Sequence, residues 1–378
     1  MNEVAKKERN SSFELMRIIS MLMIVMGHFL IHGGVMDNTT GVVHLVMCAI
    51  LAILYMHVNS FVLVSGYFEC TNKMKLGKAI KLNNSVWFYT STILLVFILC
   101  GLEVSKVTIL KAVLPISYNE YWFFSCYLIL YLISPILNTV INNSDKRKMK
   151  MIIFTNFILL SVLPYITIGE FYQVSGGYSL YNFVLLYFIG AYIRKYPIEK
   201  NYFVKYFTKN AQRMLIFTSI FIFAGINFLL YYFGSNIQSF DNNLVRQIGS
   251  IFTNGFSGYN NPLLIIQSVC YFSLFTAFEF KSKFINKISG YTFGVYLISD
   301  NFYVRGWLYK FLGFTKDHYN IKILLNLIIC CLVVFIICIL IEMIRQFIFK
   351  IIYNSKLAAK NRVWYRNYIK SLGIDINW

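Results

Sequence analysis

Two ionisable residues near the N-terminus, Arg17 and His28, are the first candidates for chemistry, because they share one face of a predicted helix and one of them can exchange a proton. They lie eleven positions apart in an apolar stretch, and in an α-helix this spacing makes three turns plus only about 20°, so both side chains share one face. The helical rise separates them by about 16 Å. Histidine is the side chain best suited to exchange a proton near neutral pH. The alternative, which the residues alone favour equally, is an interfacial arginine and a hydrogen-bonded structural histidine.

The elements that must position these residues are membrane spans. The 378 residues are 58% hydrophobic and 13% charged, with a mean hydropathy of +0.60, which leaves too little polar surface for soluble domains. The span that carries Asp300 and Arg305 is predicted to be broken or to line a cavity. Ten apolar runs of membrane-spanning length are predicted, near residues 15–34, 43–68, 84–101, 121–141, 151–168, 179–193, 213–233, 262–279, 290–309 and 321–348.

The basic residues predict the orientation of these spans. The net charge of +19 would suggest a nucleic-acid partner in a soluble protein. With the N-terminus in the cytoplasm, 28 of the 35 Lys and Arg residues fall in cytoplasmic segments and 7 outside, as the positive-inside rule predicts. We therefore predict an all-α polytopic membrane protein with about ten transmembrane helices, both termini cytoplasmic and no nucleic-acid partner. Its parts are an N-terminal segment 1–14, a transmembrane domain 15–348 and a basic cytoplasmic tail 349–378.

Three further stretches accompany the Arg17–His28 spacing and together resemble one family of membrane enzymes. They are the apolar run from Asn59 to Phe68 that contains Ser65-Gly66-Tyr67, the Tyr121-Trp122-Phe123-Phe124 stretch with Tyr131 and Pro135, and the run from Ser289 to Ile298 that contains Tyr296-Leu297. In this order, over residues 10 to 345, the four features resemble the acyltransferase type 3 family, especially its Gram-positive members that modify glycans. A close helix contact is the expected role of Ser65-Gly66.

The resemblance implies a bacterial enzyme of the cell membrane. It would transfer an acyl group, expected to be acetyl, from cytoplasmic acyl-CoA to a hydroxyl of a cell-envelope polysaccharide or its lipid-linked precursor. His28 would be the catalytic base, and Arg17 would place the acyl-CoA donor. The separation of about 16 Å is of the same order as an extended pantetheine arm. The implied partners are membrane lipid, acyl-CoA and a glycan acceptor, with the group passed on directly or through a separate exported protein.

The chain departs from the family pattern at two places. Lys73-Met74-Lys75 stands where relatives usually carry Arg-x-Arg; Lys73 and Lys75 would bind donor phosphates as point charges or serve only as orientation charges. If the motif is shifted, Lys78 and Lys81 take their place. Where many relatives have a histidine, this chain has Ser299 followed by Asp300. Asp300 is predicted either to orient a catalytic partner or to pair with Arg305, and the sequence favours neither.

The remaining candidate contacts concern the acceptor. Glu120, Trp122, Tyr296 and Asp300 would bind a sugar, although an interfacial aromatic belt is the alternative for Trp122. No Cys/His set has the spacing of zinc ligands, so neither a metal nor a bound cofactor is expected. The alternative function is a polysaccharide flippase, polymerase or transporter without acyl-transfer chemistry, which acyl-CoA hydrolysis would distinguish.

Overall fold

The computed structural model describes residues 10–167, 175–197, 208–312 and 322–354. Within these ranges every regular element is helical, which confirms the predicted all-α class. The predicted N-terminal segment is described only from residue 10 and the predicted tail only to residue 354, so most of both lies outside the described residues.

Two pairs of helices are almost continuous. A single residue, Tyr55, separates the helix Gly41–Leu54 from the helix Met56–Glu69, and a π-helical turn at Ile158–Val162 joins Lys146–Phe157 to Leu163–Ile166. In chain order the described α-helices are α1 (Ser11–His32), α2 (Val35–Asn38), α3 (Gly41–Leu54), α4 (Met56–Glu69), α5 (Leu76–Leu99), α6 (Lys106–Val113), α7 (Trp122–Asn142), α8 (Lys146–Phe157), α9 (Leu163–Ile166), α10 (Leu180–Lys195), α11 (Lys209–Gln238), α12 (Asn243–Asn254), α13 (Pro262–Thr276), α14 (Lys283–Ser289), α15 (Thr292–Ser299), α16 (Phe302–Phe311) and α17 (Lys322–Asn354).

Seven helical segments in the described ranges are long and apolar enough to cross a bilayer, so the chain is a multi-pass membrane protein. The predicted count of ten is not confirmed, because three predicted spans are shorter in the structure. Helix α10 has 16 residues and α13 has 15, and the ninth predicted span is divided into α15 and α16. The division falls at Asp300, within the span for which the sequence predicted a break or a cavity.

Helix α1 is central, since it packs against α4, α13, α14, α15 and α17. Its N-terminus is capped by Asn10, whose side chain accepts a hydrogen bond from the Ser12 amide. The two serines that follow attach it to neighbouring elements: Ser12 Oγ donates to the Phe275 carbonyl at 2.6 Å, and Ser11 Oγ contacts Asn286 Oδ1 at 2.9 Å. These bonds fix the register of the helix that carries Arg17 and His28.

Helices α4 and α10 approach each other at two glycines. A Cβ on Gly66 would lie 2.2 Å from the Tyr187 carbonyl oxygen, and one on Gly190 would lie 2.3 Å from that of Leu63. Only glycine allows backbones to pack this closely, as is common between membrane helices. The close contact predicted at Ser65-Gly66 is therefore confirmed.

A buried loop at residues 255–261, between α12 and α13, contributes one wall of the protein interior. Buried backbone outside helices requires internal partners for its polar groups, and distant side chains supply them. Asn59 Nδ2 donates to the Tyr259 carbonyl at 2.9 Å, and Ser161 Oγ donates to the Asn260 carbonyl at 2.6 Å. The loop is thus fixed from α4 and from the π-helical turn.

Helix α15 is packed against a buried ion pair of α17. Glu342 accepts two hydrogen bonds from Arg345, at 2.6 and 2.7 Å, and one from the Tyr89 hydroxyl. The Glu342 side chain lies against Gly294, where an added Cβ would be 2.5 Å from the carboxyl carbon. A charge pair buried at this depth needs such complete pairing, and the contact fixes α15 and therefore the adjacent Asp300.

Candidate active site

One face of α1 lines a cavity of about 860 Å³. The α1 residues that line it recur every three or four positions, which places them on a single face. Arg17 and His28 both belong to this face and open into the same cavity, about 16 Å apart along the axis. The lining residues from this part of the chain are Asn10, Phe13, Glu14, Arg17, Met21, Ile24 and His28.

His28 lies beside a carboxylate. Its Nδ1 atom is 3.6 Å from Asp300 Oδ1, and the side chains are 18% and 8% exposed. This distance is within ion-pair range but longer than a hydrogen bond. A carboxylate beside Nδ1 favours the tautomer with its proton on Nδ1, which leaves Nε2 as the proton acceptor. Arg305 donates to the same carboxylate oxygen at 3.1 Å, so Asp300 makes the predicted pair with Arg305 and also lies beside His28.

The break between α15 and α16 positions Asp300. The Tyr121 hydroxyl donates to the Leu297 carbonyl at 2.6 Å and accepts from Asn301 Nδ2 at 3.1 Å. Asn301 also starts the next helix, since its Oδ1 accepts from the Tyr303 amide. Tyr121 is 2% exposed, so a buried phenol from the Tyr-Trp stretch fixes the segment that carries the carboxylate.

A second imidazole, that of His57, also lines the cavity. Its Nδ1 lies 3.1 Å from the Tyr55 carbonyl oxygen, which can only accept, so Nδ1 is the donor and Nε2 of the neutral ring is an acceptor. Ser299, which replaces the histidine of many relatives, is buried and donates to the Val295 carbonyl instead. The second imidazole of this cavity therefore comes from α4.

Arg17 is held by a carboxylate of its own helix. Its NH1 group contacts both oxygens of Glu14, at 3.0 and 3.1 Å. The Ser289 hydroxyl donates to the same carboxylate, and Glu14 is 6% exposed. All three residues line the cavity. The charge of Arg17 is thus compensated, and an anionic ligand would share the guanidinium with Glu14.

An aromatic wall lies near the histidines. Trp122 stacks on Tyr259, with 5.6 Å between ring centroids and 24° between planes, and also packs against Tyr178. Tyr259 lies 5.9 Å from the His57 ring. Of the predicted acceptor contacts, Trp122, Tyr296 and Asp300 line the cavity.

Three predicted substrate contacts do not line it. Glu120 lies 3.5 Å from Lys111 Nζ. Lys73 and Lys75 are exposed, and the backbone amide of Lys75 donates to the Tyr131 hydroxyl at 2.8 Å. Lys78, the alternative if the motif is shifted, does line the cavity.

A comparison with protein-family models assigns the chain to a family. A family model described as an acyltransferase domain, of the acyltransferase type 3 family, matches residues 10–343. The chain belongs to this family. It is therefore an acyltransferase, and the resemblance predicted from the motifs is confirmed. No curated protein and no solved structure matches it.

Several cavity-lining residues of this acyltransferase were missed by sequence reasoning, and Glu14, Arg194 and Tyr259 show why. Glu14 could have been found, because a carboxylate three positions from Arg17 on a helix lies beside it. Arg194 was counted only as an orientation charge, although it lines the cavity. Tyr259 has no local signal, since its position depends on the folded 255–261 loop.

Proposed function

We propose that this acyltransferase moves an acyl group, expected to be acetyl, from cytoplasmic acyl-CoA to a hydroxyl of a cell-envelope glycan or its lipid-linked precursor. The observation that carries the proposal is the single face of α1 that presents Arg17 and His28 to one cavity, in which Asp300 lies beside His28. Their separation of about 16 Å suits a donor whose phosphates lie near Arg17 and whose thioester lies near His28. The cell is bacterial, and the membrane is its plasma membrane.

In the proposed reaction His28 is the general base. Its Nε2 takes the proton of the acceptor hydroxyl as the oxygen forms a bond with the thioester carbonyl carbon. The carbon–sulfur bond then breaks, and the departing CoA sulfur takes the proton from His28, which returns the imidazole to its neutral form. Asp300 keeps the Nδ1 proton in place and stabilises the transient imidazolium.

The two ends of the cavity would bind different substrates. Arg17, Lys73 and Lys75 are the proposed contacts for the donor phosphates, and the lysines would act as point charges. At the other end, Trp122 and Tyr296 would contact the acceptor sugar, and Glu120, next in sequence to the Tyr121-Trp122 stretch, would be a further contact. The group passes to the glycan directly or through a separate exported partner.

Thiol release by the purified protein tests this function. Incubation with acetyl-CoA in lipid nanodiscs should release CoA, and mass spectrometry of the envelope glycan should show O-acetyl groups that disappear when the gene is deleted. A glycan that loses no acyl group on deletion, together with a purified protein that releases no CoA, would contradict the proposal and favour the flippase or transporter alternative.

We further propose that the chain crosses the membrane ten times with both termini in the cytoplasm. Seven crossings are made by the longer helical segments, and three by α10, α13 and the α15–α16 pair. Reporter fusions after Met36 and within residues 234–261 should lie outside, and a fusion after Asn143 should lie inside, because 28 of 35 basic residues then fall on the cytoplasmic side. A cytoplasmic signal at Met36 or within residues 234–261 would contradict the ten-span arrangement.

A further inference from the structure

Among the basic residues that line the cavity, Arg194 differs from Arg17 and Lys78 in its contacts with carboxylates. Besides Arg17, the cavity is lined by Lys78 and Arg194 and by the carboxylates of Glu69 and Glu279. Lys78 is compensated by Glu69, at 2.6 Å, just as Arg17 is by Glu14. In the described part of the chain no carboxylate lies within ion-pair distance of Arg194; its NH1 group donates to the neutral Tyr67 hydroxyl at 3.2 Å. Its charge is therefore available to an anion.

The guanidinium of Arg194 is also held in place. Its central carbon lies 4.9 Å from the centroid of the Tyr67 ring, a cation–π contact. Tyr67 is in turn packed by Phe13, Phe68 and Phe272, at centroid distances of 5.3, 5.1 and 5.5 Å. A planar fork of donors fixed on a packed ring loses little conformational entropy when it binds a phosphate.

The packing of α4 against α10 builds this pair. Gly66 precedes Tyr67 and touches the backbone of α10, and Gly190 lies one turn before Arg194 and touches the backbone of α4. The two glycine contacts fix both helices and hence the Tyr67–Arg194 contact. In the ten-span arrangement, Arg194 and Arg17 both lie at cytoplasmic ends of their helices, which is where a cytoplasmic donor enters.

We propose that Arg194, supported by the ring of Tyr67, binds a phosphate of the CoA donor at the cytoplasmic end of the cavity. This inference rests on the proposed function, because it assigns part of the donor site. An anionic lipid headgroup offers the same chemistry, and the experiment below separates the two sources. Arg17, already compensated by Glu14, would then contact the donor further along the same cavity.

The test is the affinity of the nanodisc-embedded protein for CoA, measured by calorimetry in zwitterionic lipid. A hydrogen bond to a charged group contributes about 1.5–3 kcal/mol, so Arg194→Ala should weaken CoA binding about tenfold to a hundredfold. Arg194→Lys should lose less, because it keeps the charge without the fork. Arg147→Ala, which removes an exposed arginine outside the cavity, should bind CoA like the wild type.

Pantetheine and phosphatidylglycerol, tested as further ligands, identify the chemical group that Arg194 binds. Pantetheine carries no phosphate, so Arg194→Ala and the wild type should bind it equally; a loss that is the same for pantetheine and CoA would mean that Arg194 only supports the fold. Wild-type affinity for CoA in Arg194→Ala would overturn the inference, as would a loss confined to Lys73→Ala/Lys75→Ala. Phosphatidylglycerol should not compete with CoA, and Arg194-dependent competition would assign the site to lipid. A wild type that binds no CoA would instead overturn the proposed function itself.

Discussion

His28→Ala should abolish acyl transfer while the protein still inserts and folds. Loss of a general base costs about 10²–10⁴ in rate, and here it also removes the imidazole that Asp300 faces. The measurement is the rate of CoA release from acetyl-CoA, with circular dichroism and melting temperature as checks on the fold. Because His28 lines the cavity, its truncation widens an existing cavity instead of opening a new void in the packed core.

His32→Ala is the matched control for this prediction. His32 lies one turn further along α1, with its ring centroid 5.4 Å from that of His28, and it does not line the cavity. The variant should keep CoA release within about severalfold of the wild type, because its change is equal in size but lies outside the reacting site. Full activity in His28→Ala would rule out the proposed base; equal losses in both variants would mean that this end of α1 is sensitive to any substitution.

Periodicity explains which parts of the site were predictable. The alignment of Arg17 with His28 depends only on helical geometry, and the structure shows both on the cavity-lining face of α1. The glycine contact at Gly66 likewise follows from the local preference of membrane helices for small residues. Such features need only a helix of sufficient length, which the apolar pattern predicted well.

The contacts that cross the fold could not be read from the sequence. His28 and Asp300 are 272 positions apart, and their proximity depends on the break between α15 and α16 and on the buried Tyr121 hydroxyl. The sequence left open whether Asp300 orients an unnamed catalytic partner or pairs with Arg305, because both contacts suit a carboxylate; the structure places it beside His28 and Arg305. The predicted count of ten spans is not confirmed for a different reason: seven of the described helical segments are long and apolar enough to span, and length alone does not show whether a shorter run such as α10 or α13 crosses the membrane.

Asp300→Asn should lower the rate of acyl transfer about 10²-fold with little change in the KM for acyl-CoA. The amide retains the shape of the side chain but cannot stabilise an imidazolium, and it no longer favours the proton on His28 Nδ1. The donor phosphates are proposed to bind about 16 Å away, so donor affinity should be preserved. Steady-state kinetics on acetyl-CoA separate the two parameters, because an interaction made only in the transition state lowers kcat and kcat/KM together.

Arg305→Ala distinguishes a role of Asp300 in stabilising the His28 imidazolium from simple charge pairing between Asp300 and Arg305. Arg305 contacts the same carboxylate oxygen at 3.1 Å, so a purely structural Asp300 would make both variants lose melting temperature and activity to a similar extent. If Asp300 acts on His28, Arg305→Ala should keep most of the rate, since the carboxylate remains beside the imidazole, while Asp300→Asn loses rate at an unchanged melting temperature. Asp300→Glu should recover part of the activity, because the longer side chain keeps the charge near Nδ1. Unchanged kinetics in Asp300→Asn would leave His28 to act without a carboxylate partner and would restrict Asp300 to its pair with Arg305.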